Sequence, residues 1–210
     1  MITTQQLKTA SPSLSDARAK IILPVLIDVC QRYGITRQSL PFFLANIIHE
    51  SGGFTIMAEN LNYTTPGRLV AVWPSRFSLT KVDDKYLASS YVKNPDLLGN
   101  LVYNGRMGNR PKSNDGYTFR GGGFAQITGR DAYQAYTDFI NSKNPVKLSI
   151  SDIAGRVQSD VSYAMDAAGW FFSVFKKLNG MTDLRKVVKL WNGGHIGMAE
   201  RQAIFNRCRF

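Results

Sequence analysis

Apolar side chains return every third or fourth residue along most of this chain, and no stretch alternates apolar with polar residues over the length of a long strand. That period is the helical one, so the chain must bury its apolar surface by packing helices rather than stacking sheets. The expectation is a mainly α fold. Ile21, Ile22, Val25, Leu26, Val29 and Cys30 follow helical spacing, with Ser13 or Ser15 able to cap the start and Gly34 to end it. Pro24 falls inside this pattern and predicts a kink or a boundary. A second helix begins near residues 37–39, since Pro41 is acceptable in a first turn. Helical patterning returns at 130–140, 153–177 and 182–190, and a last short helix fits 199–207.

Residues 74–123 are different. They are rich in Asn, Gly, Pro and Ser, and read as loops with short helical pieces, with an inserted lobe over roughly 74–115. A chain of 210 residues can form one large domain carrying such a lobe and bury a substantial core without staples. No Gly/Ser-rich or Pro-rich linker divides it and no repeat is visible, so residues 1–210 are expected to be a single domain.

Cys30 and Cys208 lie near opposite ends of the chain, and a disulfide framework would need more cysteines. Both read as free thiols, Cys30 packed in the core. With His49 and His195 as the only histidines, no set of close-spaced metal ligands exists, and no metal or organic cofactor is expected. Residues 1–10 carry no basic start followed by an apolar run, and the most apolar stretches, 21–30 and 40–48, are about half the length that a bilayer span needs. A soluble protein made in the cytoplasm is the expectation.

The 26 Lys and Arg outnumber the 15 Asp and Glu, giving a net charge of +11 and an affinity for something anionic. The charge is spread. Lys176–Lys177 and the Arg185, Lys186, Lys189 group look like solvated helix faces, and no basic-aromatic repeat of a nucleic-acid module appears.

Phe43, Ile47, Glu50 and Phe54 are spaced by four, three and four, which puts them on one helical stripe before Gly52–Gly53 breaks the helix. Glu50 then projects from the edge of an apolar surface, where desolvation favours the neutral acid that general-acid chemistry requires. A carboxylate making a local bond near a helix end is the alternative. Glu59 bears on the choice. The glycine pair lets the chain turn back, so Glu59 can face Glu50. A separation of about 6.5–9.5 Å would leave room for the attacking water of an inverting glycosidase.

The run His49-Glu50-Ser51-Gly52-Gly53-Phe54, followed by Ala58-Glu59-Asn60-Leu61-Asn62-Tyr63, resembles the signature of glycoside hydrolase family 19. That family holds plant-type chitinases and many bacteriophage endolysins. Residues 117–130, Tyr-Thr-Phe-Arg-Gly-Gly-Gly-Phe-Ala-Gln-Ile-Thr-Gly-Arg, are similar to its second signature. Val102-Tyr103-Asn104-Gly105-Arg106-Met107-Gly108-Asn109 and Trp191-Asn192-Gly193-Gly194 also match, and the likeness runs from about Ser15 to the end of the chain.

The resemblance implies a lysozyme-like, bilobal, mainly α fold with a substrate groove between a helical main lobe and the inserted lobe. It implies Glu50 as general acid, Glu59 as general base and Thr128 as the hydroxyl that holds the water; Thr128 can equally cap the helix starting at Arg130. Gln126 and Asn192 match sugar-binding residues of the groove, and Tyr63 and Tyr103 are expected beside them. Arg201 matches an arginine that positions and tunes the acid, and is grouped with the substrate-binding set. Trp73, Trp170 and Trp191 can stack on sugars or fill the core, and His49 is expected to support structure. Two departures, Gly122 in place of the family's Arg and Ala132 in place of its Asn, bear on sugar register.

The implied activity is hydrolysis of peptidoglycan glycan strands, with the anionic cell envelope as docking surface and no separate wall-binding domain. The enzyme is expected to be a monomer in the bacterial host cytoplasm that reaches the wall after release by a holin. The scarcity of cysteines and the positive charge favour peptidoglycan over chitin. The alternatives are a chitinase, a noncatalytic glycan-binding relative, and, on charge alone, a nucleic-acid binder.

Overall fold

The computed structural model describes residues 2–208 and Phe210. In chain order its α-helices are α1 (Thr4–Ala10), α2 (Asp16–Arg32), α3 (Leu40–Glu50), α4 (Pro66–Val72), α5 (Pro95–Tyr103), α6 (Asp115–Thr118), α7 (Arg130–Lys143), α8 (Ile150–Ser159), α9 (Val161–Trp170), α10 (Leu184–Asn192) and α11 (Met198–Arg207). Two-residue strands β1 (Phe77–Ser78) and β2 (Tyr86–Leu87) pair in parallel, Phe77 opposite Tyr86. The fold is mainly α, as the periodicity requires. No helix of the described residues is long and apolar enough to cross a membrane.

Local sequence starts most of these helices. Ser15, Thr65, Asn94 and Ser149 each accept a backbone N–H of the first turn of α2, α4, α5 and α8, and Pro66 and Pro95 follow two of the caps. Asp160 and Asp183 do the same for α9 and α10. Pro24 does not end α2, which runs on through it. The proline is exposed, so the carbonyl its ring leaves unpaired faces water. Ile21 is also exposed, and the buried line of α2 is Ala19, Ile22, Leu26 and Val29. The patterning at 153–177 resolves into two helices, because Asp160 is extended (φ −108°, ψ 128°) and caps the second. A π-helical turn, Phe171–Phe175, then prolongs α9.

The chain divides into two compact units. One comprises Met1–Ala58, Gly122–Ile127 and Tyr136–Phe210. Its centre is α3, buried on nearly every side from Leu40 to Ile48, as a helix apolar all round must be. Phe43 meets Phe172 (centroids 5.3 Å apart) and Phe42 meets Phe205 (4.7 Å). Trp170 and Trp191 are core residues here, 2% and 5% exposed, packed around Phe171.

The other unit is Glu59–Gly121 with Thr128–Ala135. It includes the stretch 74–115 expected to form an inserted lobe, and extends past it at both ends. Its core is Leu61, Leu69, Phe77, Ala88, Leu98 and Val102, with Tyr63, Trp73 and Tyr103 packed at the edge. The 102–109 motif organises this unit. Asn104 accepts from Gly116 N (2.8 Å) and donates to Ser113 O (2.8 Å). Asn109 accepts the N–H of Arg130 (2.8 Å) and Met107 O that of Asp131 (3.1 Å), which satisfies the start of α7. Gly108 must be glycine: a Cβ there would lie 1.9 Å from an Asp131 carboxylate oxygen.

Candidate active site

Helix α3 surfaces at its last residue, Glu50. The hydroxyl of Ser51 donates to Ile47 O (2.6 Å) and accepts from Phe54 N (2.8 Å). Between them Gly52, Gly53 and Phe54 all take positive φ (55°, 76°, 66°), a turn that two glycines make accessible. Phe54 accepts the left-handed conformation with its ring fully buried edge-on against Phe124, 5.4 Å away.

The expected apolar surroundings are half of what Glu50 meets. Phe43, Ile47 and Phe54 are fully buried, yet the carboxylate itself is held by polar groups. Arg201 of α11 forms an ion pair with Glu50 Oε1 through Nη2. The same guanidinium donates through Nη1 to Asn46 Oδ1 (2.6 Å). Asn192, its amide oriented to suit both neighbours, donates to Glu50 Oε1 (3.0 Å) and accepts from Arg201 Nη2 (2.8 Å). Glu50 Oε1 thus takes two donors, and Oε2 takes none among the described residues. Arg201 is 1% exposed, and its guanidinium is spent on Glu50, Asn46 and Asn192 rather than presented to solvent. Neighbouring His49 bonds through Nδ1 to Glu200 (2.8 Å). Burial, and then the Arg201 charge, hold its imidazole below the usual histidine value.

Glu59 lives in a different environment. Its backbone N–H donates to Gly121 O (2.8 Å), and Gly121 N returns a bond to Oε2 (3.2 Å). The phenol of Tyr103, last residue of α5, donates to Oε1 at 2.8 Å and reaches Oε2 at 3.0 Å. Arg120 bonds to the Glu59 carbonyl (3.2 Å) while its guanidinium lies over the Tyr117 ring. The carboxylate is therefore held by a phenol and a backbone amide. Burial, and the adjacent Glu59 charge, push the Tyr103 phenol well above the usual tyrosine range. Tyr63 is shifted upward by the same two causes and packs on Trp73 at 5.4 Å.

The structure so brings Glu50, Asn192 and Arg201 together in one unit, and Glu59, Tyr63 and Tyr103 together in the other. Gln126 takes a left-handed backbone (φ 50°) and donates through Nε2 to Gly123 O (2.9 Å). Thr128 is half-buried, next to Ile127, whose N–H bonds to Gly122 O (2.9 Å). Gly122 pairs with Ala58 and with Ile127 in isolated antiparallel bridges. Asn46 was not foreseen, although the signal existed. It is a fully buried amide one turn before Glu50 in an otherwise apolar helix. Among the described residues no three His, Cys, Asp or Glu side chains group as metal ligands.

No family model matches the chain. A protein of Haemophilus influenzae named "Glycosyl hydrolase family 19 domain-containing protein" is 33% identical to it over 172 residues, 81% of this chain and 78% of that protein. An identity of 33% sustained over most of both chains shows common descent, and the motifs at Glu50 and Glu59 lie on the same reading: the chain belongs to glycosyl hydrolase family 19 and is a glycoside hydrolase.

Proposed function

We propose that this glycoside hydrolase cuts the β-1,4-linked glycan strands of bacterial peptidoglycan with inversion, as a phage endolysin does, with Glu50 as general acid and Glu59 as general base. The observation that carries the assignment is the contrast between the two carboxylates. Glu50 is clamped through one oxygen by Arg201 and Asn192, which leaves Oε2 to hold the proton passed to the leaving glycosidic oxygen. The carboxylate produced by that transfer is then stabilised by the buried guanidinium. Glu59, held by neutral donors, accepts a proton from the water that attacks the anomeric carbon. One C–O bond breaks and one forms; the proton of Glu50 ends on the leaving oxygen, one hydrogen of the water stays on the new hydroxyl, and the other passes to Glu59, which releases it to solvent as Glu50 is reprotonated.

In this reading Thr128 holds the water and Gln126, Asn192 and Tyr63 contribute to sugar binding. Family membership gives a glycan substrate of cell-wall or chitin type. Peptidoglycan is favoured by the net charge of +11, which suits an anionic wall better than neutral chitin. We place the enzyme in the host cytoplasm as a monomer that a holin-type pore releases to the wall.

The test is turbidity loss of purified peptidoglycan, followed by mass spectrometry of the fragments, with wild type, Glu50→Gln and Glu59→Gln. Lysis by wild type with new sugar reducing ends on intact peptide stems is expected. Glu50→Gln should be at least about a hundredfold slower with an unchanged circular dichroism spectrum. A folded Glu50→Gln of full activity would overturn the mechanism. Cleavage of chitin oligomers without lysis of walls would move the substrate to chitin.

A further inference from the structure

The acid is held by Arg201, and Arg201 is only as well placed as the helix that carries it. Helix α11 has an unusual start. Its N-cap is Gly197, with φ 70° and no side-chain cap, and its carbonyl accepts the N–H of Arg201 at 3.0 Å. Arg201 heads the inward line Arg201, Ile204 and Cys208, so a rotation or slide of α11 would carry the guanidinium away from Glu50 and Asn46 together.

The imidazole of His49 stands at that start. A Cβ on Gly197 would lie 2.3 Å from His49 Nε2 and 2.4 Å from Cε1, which leaves room for glycine alone, and the positive φ selects glycine independently. The ring is also tied to α11 by Nδ1 and Glu200, 2.8 Å apart. Glu200 is largely exposed, so this bond is worth little as an ion pair; its effect is to fix the ring's orientation.

We propose that His49 is a positioning residue: wedged on Gly197 and oriented by Glu200, it sets the register of α11 on α3 and so the placement of Arg201 on the Glu50 carboxylate. This rests on the reading of Glu50 as the acid. The neutral imidazole suits the task. Nδ1–H donates to Glu200, while Nε2 packs on the glycine backbone and adds no charge beside Arg201.

Three variants test it: His49→Ala, Gly197→Ala and the double variant. A misplacement on the order of 1 Å can cost a hundredfold in rate, so each single change is expected to lower kcat at least about tenfold with KM within about twofold. The added methyl and the ring collide only when both are present. Alanine at the positive φ of Gly197 stays strained in the double variant, which should therefore be slower than His49→Ala by clearly less than the factor that Gly197→Ala costs alone, where independent losses would multiply. Should His49→Ala fail to fold, His49→Gln is expected to behave in the same way.

A second readout does not depend on turnover. In ¹⁵N NMR the Arg201 Nη groups of wild type should rotate slowly and give resolved signals, and these should average in His49→Ala. Wild-type kcat and unchanged Arg201 signals in His49→Ala, or losses that multiply in the double variant, would overturn the proposal. Arg201 signals that respond as expected in a protein whose wild type cleaves no glycan would leave the positioning intact and remove the reading of Glu50.

Discussion

Tyr103 is where sequence and structure assign different work to one side chain. Its motif suggests a sugar contact, but its hydroxyl is spent on both oxygens of Glu59. Tyr103→Phe keeps the ring that packs at the edge of the second core and removes only this donor; Gly121 N–H remains on Oε2. With Glu59 in its proposed role of base, the loss of one of its two orienting bonds should lower kcat about ten- to a hundredfold and leave KM unchanged. A sugar contact would instead raise KM with kcat held. Steady-state kinetics on a soluble glycan fragment distinguish the two, and a raised KM alone would return Tyr103 to the substrate-binding set. At this scale the apolar stripe singles out Glu50 and the glycine pair lets the chain turn back at Glu59, while their roles as acid and base come from the resemblance to family 19. The partners of Glu59 are less legible in the sequence, because Gly121 and the Tyr103 hydroxyl meet it only through folding, from 62 and 44 positions away.

Among the elements, the helix starts were readable and the helix lengths less so. Caps act over three or four residues, so Ser15 or the Asp183 that opens α10 leaves a local trace. Helix α1 carries the same local trace in its Thr3–Gln6 capping box. The continuity of α2 through Pro24 and the pairing of β1 with β2 depend on burial and distant contacts, which periodicity does not report. The start of α7 shows the same dependence, and has a pH consequence. Asp115, 4% exposed, binds Arg110 through a bidentate pair and also takes Arg130, the first residue of α7. The Arg110 hydrogen bonds lead in lowering its carboxyl to about 2, against the desolvation that opposes them. A folded-state value below the unfolded one means stability that is fully present above about pH 4 and lost as pH falls toward 2. Asp115→Asn should therefore be less stable than wild type in urea at pH 7, and the gap should close in a titration down to about pH 2. A gap that persists at low pH would show that packing rather than charge holds this junction.

For the whole molecule, the excess of 26 basic over 15 acidic residues is its most general property, and it bears on substrate rather than on fold. Charge spread over a surface steers the enzyme toward an anionic polymer, and that attraction weakens as the Debye length shrinks from about 30 Å at 0.01 M salt to about 8 Å at 0.15 M. The chemistry proposed for Glu50 and Glu59 would depend on bonds of 2.8–3.2 Å at Glu59 and on a buried guanidinium at Glu50, both too short-ranged to be screened in this way. Lysis of peptidoglycan should accordingly slow by about tenfold or more over this salt range, mostly through a rise in apparent KM, while cleavage of a neutral chitin oligomer, if it occurs, should hardly change. The two assays share one active site, so their ratio isolates the contribution of the charged surface. Equal salt dependence on both substrates would mean that the charge acts on the catalytic groups themselves. Lysis indifferent to salt would mean that the positive surface serves solubility alone, and the charge argument for peptidoglycan would fall while the assignment of the two carboxylates stood.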